Sequence, residues 1–265
     1  MTPSDPLSTT LKKTHGIVAC WRLLRAISHL LLGLFVIRFR FAGFTPEHRQ
    51  QRVIRWSREF VELLGLQLTV HGSFPAKGPL MVVANHMSWL DISVLHASGY
   101  CRFVSKADVK HWPVLGGLAT GIDTLYIARE SRRDAMRVVH HIKDALLGGG
   151  VIAIFPEGTT SDGADVLPFH GNLIQAAISA NVPVLPVALR YAYVQGGQLA
   201  TDTTYVGEQT LPNSLWRTVC APPVRAVVRI GQPQTAGGRD RRVWAVDLRE
   251  AVCRRPPSPP IPNPP

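Results

Sequence analysis

Acidic residues are scarce in this chain. Its 265 residues carry 18 Asp and Glu against 29 Lys and Arg, a formal net charge of +11 with histidine neutral. Such an excess of cations calls for an anionic partner, either nucleic acid or an acidic membrane surface. No helix-turn-helix, zinc-finger or aromatic-rich RNA-binding pattern accompanies the charge, so the membrane surface is the expected partner and nucleic acid is not. Cysteine is sparse too: Cys20, Cys101, Cys220 and Cys253 lie far apart. Without a Cys-x-x-Cys pair they support neither a zinc site nor a small disulfide framework, and they fit a reducing cytoplasm. There is no internal repeat, and no Gly-x-Ser-x-Gly segment, which argues against a serine hydrolase.

Long uncharged apolar runs are also missing. Near the N-terminus the run from Ala26 to Ile37 makes only ~18 Å of helix, against roughly 30 Å of bilayer hydrocarbon. Arg22, Arg25 and His29 interrupt the apolar stretch before it and share one narrow helical stripe with Gly33. Basic residues flank both ends, Lys12 and Lys13 before and Arg38, Arg40, Arg49 and Arg52 after, so the positive-inside rule selects no orientation. The expectation is a helix that dips into one leaflet with both ends cytoplasmic; a tilted single span is the alternative. Ile37-Arg38-Phe39-Arg40 offers no small-residue cleavage site, which argues against a secretory signal.

What is present is hydrophobic: 46% of residues, with a mean hydropathy of +0.08. Charged residues, at 18%, are too many for a polytopic membrane protein. The length suits one core in a domain of ~200 residues. Residues 1–44 read as a membrane-associated segment, 45–253 as the folded domain and 254–265 as a proline-rich tail outside it.

Within the domain, helical and strand patterns alternate. Thr45-Pro46-Glu47 starts a helix that Gly65 stops, with Val53, Ser57, Phe60, Val61 and Leu64 on one face. Strands are predicted over 66–71, 80–84, 101–104, 123–128, 151–154, up to 189, and 224–230. Helices are predicted over 92–97, from a cap at Ser131 to 146, over 171–180 and over 239–253. Segment 106–117 reads as a surface loop near the membrane. Strand, helix and strand at this spacing favour parallel pairing. The predicted fold is therefore α/β, a mixed, largely parallel central sheet flanked by helices, with the N-terminal membrane-associated helix added.

Two stretches at predicted strand ends carry the chemistry. Leu80–Ala84 runs into Asn85-His86-Met87-Ser88-Trp89-Leu90-Asp91, and Val151–Ile154 runs into Phe155-Pro156-Glu157-Gly158-Thr159-Thr160-Ser161. Loops at such an edge sit on a rigid frame yet open to solvent. An imidazole becomes a useful base when a carboxylate fixes its tautomer and stabilises the imidazolium, and His86 and Asp91 are spaced for that across a turn into a helix. Ser88 and Asp91 also read as a helix cap, Ser88 as the N-cap, with His86 serving only a backbone group.

Together these stretches resemble two signature motifs of the glycerolipid acyltransferases, the family of the bacterial 1-acylglycerol-3-phosphate acyltransferases. The first matches Asn-His-x-Ser-x-x-Asp at every fixed position. The second matches Phe-Pro-Glu-Gly-Thr and then has Thr160 where many members carry arginine. Gly121 to Arg129 is similar to the family's acceptor-binding block, and Val182 to Pro186 to its apolar fourth block.

The resemblance implies His86 as general base and Asp91 as its orienter. It implies substrate-side roles for Asn85, Ser88, Glu157, Gly158, Thr159 and Thr160, and Arg129 as the binder of an acidic head group. It implies an acyl-thioester-dependent O-acyltransferase for a lysophospholipid, most simply 1-acyl-sn-glycerol-3-phosphate. Acyl-CoA or acyl carrier protein would be the donor, with no cofactor and no metal. The site would work at the cytoplasmic side of the inner membrane. Thr160 removes one cation, so lyso-ornithine lipid or another lysolipid stands as an alternative acceptor. A thioester or lipid hydrolase using His86, and a non-catalytic lipid-binding protein, are the competing readings. A metal site built from His86, Asp91, His140 and His141 is weaker, because adjacent histidines on a helix point about 100° apart.

Overall fold

The computed structural model describes residues 11–75, 77–127 and 132–254, with the backbone alone for 132–135. The predicted strand and helix boundaries around Ala128 to Ser131, Arg129 included, and the tail beyond Arg254 lie outside the described residues.

The sheet has seven strands: β1 (Leu66–His71), β2 (Leu80–Ala84), β3 (Arg102–Lys106), β4 (Leu125–Ile127), β5 (Val151–Ile154), β6 (Val184–Tyr193) and β7 (Val224–Ile230). Their order is β1-β7-β6-β2-β5-β3-β4. All described pairings are parallel except β6 with β7, so β1 and β7 run against the rest. β2 is central and buried at every position, which is why it reads as a continuous apolar run rather than an alternating one. Its side chains still alternate in destination. Leu80, Val82 and Ala84 join the core under helices α2 (Pro46–Leu63), α3 (Leu90–Ser98) and α7 (Leu211–Cys220). Met81 and Val83 join the core under α5 (Arg132–Leu147), α6 (Gly171–Ala180) and α8 (Arg241–Cys253).

Segment 106–117, read as a loop, is instead helical. It forms a short 3-10 turn over Ala107–His111 and begins α4 (Leu115–Gly121). Its glycines explain the misreading and the fold at once. A Cβ on Gly117 would lie 2.7 Å from Leu34 Cδ1, and one on Gly121 would run into Ile37 Cγ2, so residues that weaken a helix in isolation are the ones that admit a neighbouring helix.

That neighbour is α1 (Gly16–Phe39), long and apolar enough to cross a membrane by length and composition. It packs on α7, α2 and α4 in turn along its length. The face it turns to the protein is the polar and small-residue stripe. Ala19, Ala26 and Gly33 are buried, Arg22 donates to Thr14 Oγ1 at 3.1 Å and to the Val219 carbonyl at 3.3 Å, and the His29 ring stacks on Trp56 at 4.8 Å. Reciprocal bonds close that contact: His29 Nε2 to the Trp56 carbonyl at 3.0 Å, and Trp56 Nε1 to the His29 carbonyl at 3.3 Å. Ile17, Trp21, Leu24, Leu31, Leu32, Phe35 and Phe39 face outward. Of the stripe read from sequence, Arg22, His29 and Gly33 face the protein and Arg25 is exposed.

A Cβ on Gly33 would sit 2.7 Å from Trp56 Nε1, so Gly33→Leu forces α1 off α2. We expect a loss of about 1–3 kcal/mol, the cost of overpacking a filled contact, read as a lower melting temperature. An unchanged melt would mean that α1 does not dock.

Candidate active site

β2 and β5 are parallel neighbours in a register that pairs Val83 with Ile154. Their C-terminal ends are therefore level, and the two sequence motifs, 71 residues apart at His86 and Glu157, meet in space. The strand ends alone would leave two loops side by side. A set of buried side chains locks them together.

Asp91 is the centre of that set. It is fully buried, and its Oδ2 accepts from His86 Nδ1 at 2.7 Å, Met87 N at 2.7 Å and Ser88 N at 2.8 Å. An ionised carboxylate only accepts, so Nδ1 carries the proton and the Nε2 lone pair is left for chemistry. Nε2 has no hydrogen-bond partner among the described residues, and the side chain is 21% exposed. Phe155 stacks on the His86 ring with centroids 4.0 Å apart and planes 8° apart, and Phe103 stacks behind Phe155. The ring is thus held by its edge and its face. An aromatic face also favours the cationic form that proton abstraction creates.

α3 is bounded at Leu90, but Trp89 already has helical angles, φ −57 and ψ −24, and the buried Ser88 hydroxyl accepts from Leu90 N at 3.3 Å, so Ser88 caps the first turn as the sequence predicts. Asp91 reaches back to Ser88 N at 2.8 Å and completes the box from its other side.

The second motif works as a brace. Glu157 is buried; its Oε1 accepts from His86 N at 2.7 Å and its Oε2 from Leu167 N at 3.0 Å. Burial raises its pKa above the ordinary carboxylate value, and the two backbone donors oppose that rise. Ser161 N donates to the His86 carbonyl at 2.8 Å. Gly158 has φ +73, a left-handed turn that favours glycine, and with the exposed Thr159 forms the tip of this loop. Thr160 donates its hydroxyl to the Tyr205 carbonyl, while Tyr205 N bonds the Met87 carbonyl at 2.8 Å, so Thr160 ties the 200s loop to the site. Asn85 spends both ends of its amide on Leu189, donating to its carbonyl at 3.0 Å and accepting from its N–H at 2.7 Å, which fixes β2 to β6.

The structure brings His86, Asp91, Asn85, Ser88, Glu157, Gly158 and Thr160 together; Arg129 lies outside the described residues. Three participants were not assigned from sequence. Phe155 lies inside a quoted motif but was given no role. Arg249 of α8 grips the carbonyls of Val166 and Leu167 at 2.6 to 3.2 Å and so supports the loop that holds Glu157. Tyr191 reaches Asp91 from β6. Of these only Tyr191 had a sequence signal: Leu185, Val187, Leu189, Tyr191 and Tyr193 alternate along one buried face.

An imidazole oriented by a buried carboxylate at a strand-end loop can take up a proton at Nε2. The Acyltransferase family model matches residues 67–190. A 1-acyl-sn-glycerol-3-phosphate acyltransferase of Neisseria meningitidis is 36% identical over 200 residues, covering 74% of this chain and 78% of the relative. The chain belongs to the acyltransferase family. A lyso-ornithine lipid O-acyltransferase of Pseudomonas aeruginosa is 32% identical over 237 residues, 87% of this acyltransferase and 90% of the relative. The crystal structure of the 1-acyl-sn-glycerophosphate acyltransferase of Thermotoga maritima superposes with a TM-score of 0.63 over 87% of this chain and 94% of that one, at 20% identity, and shares the fold.

Proposed function

We propose that this acyltransferase moves an acyl group from a thioester to the hydroxyl of a lysolipid, with 1-acyl-sn-glycerol-3-phosphate as the leading acceptor and acyl-CoA or acyl carrier protein as the donor. The His86–Asp91 pair, with Nε2 left open, is the observation that carries the reading. His86 Nε2 takes the proton of the acceptor hydroxyl as its oxygen attacks the thioester carbonyl. The carbon–sulfur bond then breaks, and the thiolate leaves with the proton returned by the imidazolium. The ester and the free thiol are the products.

The outward row of apolar side chains on α1, with exposed Trp112 and Trp216, supports docking on a membrane at its cytoplasmic face. Because α1 lies along the domain rather than projecting from it, an in-plane position in one leaflet fits it better than a span. Beside α1 a pocket of about 160 Å³ is lined by Gly33, Val36, Trp56, Leu118 and Ile122, a mainly apolar wall with Arg52 and Glu59 also on it. Thr160, already bonded to Tyr205 where many family members have arginine, favours lyso-ornithine lipid as the second acceptor to consider.

The test is acyl transfer from labelled acyl-CoA and acyl carrier protein to a panel containing lysophosphatidate and lyso-ornithine lipid. Phosphatidate formation is expected. Product with lyso-ornithine lipid alone would move the acceptor, and free fatty acid without any acylated lipid would replace transfer by hydrolysis.

A further inference from the structure

Asp91 is a buried anion whose two oxygens are unequally served. Oδ2 accepts three hydrogen bonds, all from within five residues of the carboxylate itself. Oδ1 accepts one described bond, from the Tyr191 hydroxyl at 2.7 Å, a residue 100 positions away on β6. Both side chains are sealed, Asp91 at 0% and Tyr191 at 1% exposure. Burial, reinforced by the neighbouring carboxylate, holds the Tyr191 hydroxyl well above its usual pKa, so it remains a donor throughout the working range.

We propose that Tyr191 is a positioning residue for acyl transfer: its hydroxyl, on the outer oxygen of Asp91, fixes the plane of the carboxylate and sets how strongly Asp91 supports a proton on His86. The inference rests on His86 being the base. A hydrogen bond to a carboxylate stabilises its charge and lowers its affinity for a proton. Without the hydroxyl, Asp91 holds the His86 imidazolium more tightly and the free base is absent over a wider range of acid pH. The geometry also explains why β6 is pinned where it is. The Asn85 clamp on Leu189 lies two residues before Tyr191, so the same strand register that closes the sheet delivers the hydroxyl.

The groups facing the pair come from three elements. Asp91 itself stands on α3, Tyr191 on β6, and Glu157 approaches from the loop after β5, bonded to His86 N. Phe155, from that same loop, covers the imidazole without charge. Removing the Tyr191 hydroxyl leaves Glu157 and Phe155 in place, so a change in the titration of the pair reports on Tyr191.

The experiment compares wild type with Tyr191→Phe, which keeps the ring in β6, and with site-specific fluorotyrosine at position 191, which keeps the bond and strengthens the donor. Two readouts are taken on the full chain in detergent: kcat/KM for transfer against pH, and the titration of the His86 ring by nitrogen-15 resonance. For Tyr191→Phe the acid limb and the ring midpoint both move up by about one pH unit, the loss of one charge-assisted bond. Plateau kcat falls a few-fold, with KM for the lysolipid unchanged. Fluorotyrosine moves both readouts down. A limb and midpoint that stay fixed in both variants overturn the proposal, whatever happens to the melting temperature. If wild type transfers acyl to no acceptor, the catalytic reading fails, and the ring midpoint, which needs no turnover, still decides on Tyr191.

Discussion

Asparagine in place of Asp91 is expected to lower kcat/KM for acyl transfer by ~10²–10⁴-fold while leaving the melting temperature close to that of wild type. The three donors on Oδ2 require an acceptor, so the amide oxygen takes that place and the amide nitrogen faces the Tyr191 hydroxyl, which can accept. The bonding pattern survives and the charge does not. A neutral partner still orients the His86 ring, but it no longer offsets the positive charge that develops when Nε2 takes the proton. The loss amounts to about 3–5 kcal/mol of barrier. His86→Ala removes the base itself and belongs in the same range. Steady-state kinetics beside a thermal melt make the check; if Asp91→Asn stays within ten-fold of wild type, proton transfer to His86 is not what limits the reaction.

The second large effect is on stability and comes from His96, five residues from Asp91. His96 is buried on α3, its Nε2 donates to the Cys101 carbonyl at 2.9 Å, and its ring lies against Tyr100 and edge-on to Phe103. Burial lowers its pKa from 6.5 to about 4, against a smaller upward pull from the Cys101 carbonyl. The folded pKa lies below the unfolded one, so between them the unfolded chain binds the extra proton. Stability is complete above about pH 6.5 and falls with pH down to about 4, by about 3 kcal/mol in all at ~1.4 kcal/mol per unit.

Glu157 acts with the opposite sign. Its carboxyl pKa is raised in the fold, so its own contribution declines as pH rises through that raised value. The two are separated by comparison with His96→Gln, whose amide can keep the bond to Cys101 but cannot titrate. Denaturant midpoints taken near pH 7.5 and near pH 4.5 are expected to diverge more for wild type than for His96→Gln, by about 2–3 kcal/mol. Equal divergence in the two proteins would place the acid sensitivity elsewhere.

The His86–Asp91 pair was legible because its partners lie five residues apart, on one side of a strand end that apolar periodicity marks clearly. Sheet membership was legible for the same reason: the β2 and β5 runs are short, apolar and bounded by turn residues. What sequence could not supply was anything carried by distance along the chain. Tyr191 on Asp91, Arg249 on the loop after β5, and the Asn85 bonds to Leu189 each join segments 80 or more residues apart, and no local pattern reports such a pairing. The roles of Asn85 and Glu157 illustrate the limit. Motif position marks them as important, while their hydrogen bonds show what each atom is already committed to. Helix α4 was missed for a different reason: glycine lowers helix propensity, and here tertiary contact with α1 outweighs it.

Helix α1 is part of the folded domain and packs on α7, α2 and α4. Its Ala19 and Ala26 belong to the same apolar cluster as Phe60, Leu64 and Leu90, and its outer face is a row of exposed apolar side chains. The helix is a wall with the protein core on one side and an uncovered apolar surface on the other. Cutting it away to gain solubility would trade one exposed apolar surface for another, because Trp56 and the glycines of α4 would lose their cover. A well-behaved preparation of this enzyme therefore needs the outer face of α1 covered, by detergent for example, with the helix left where it is.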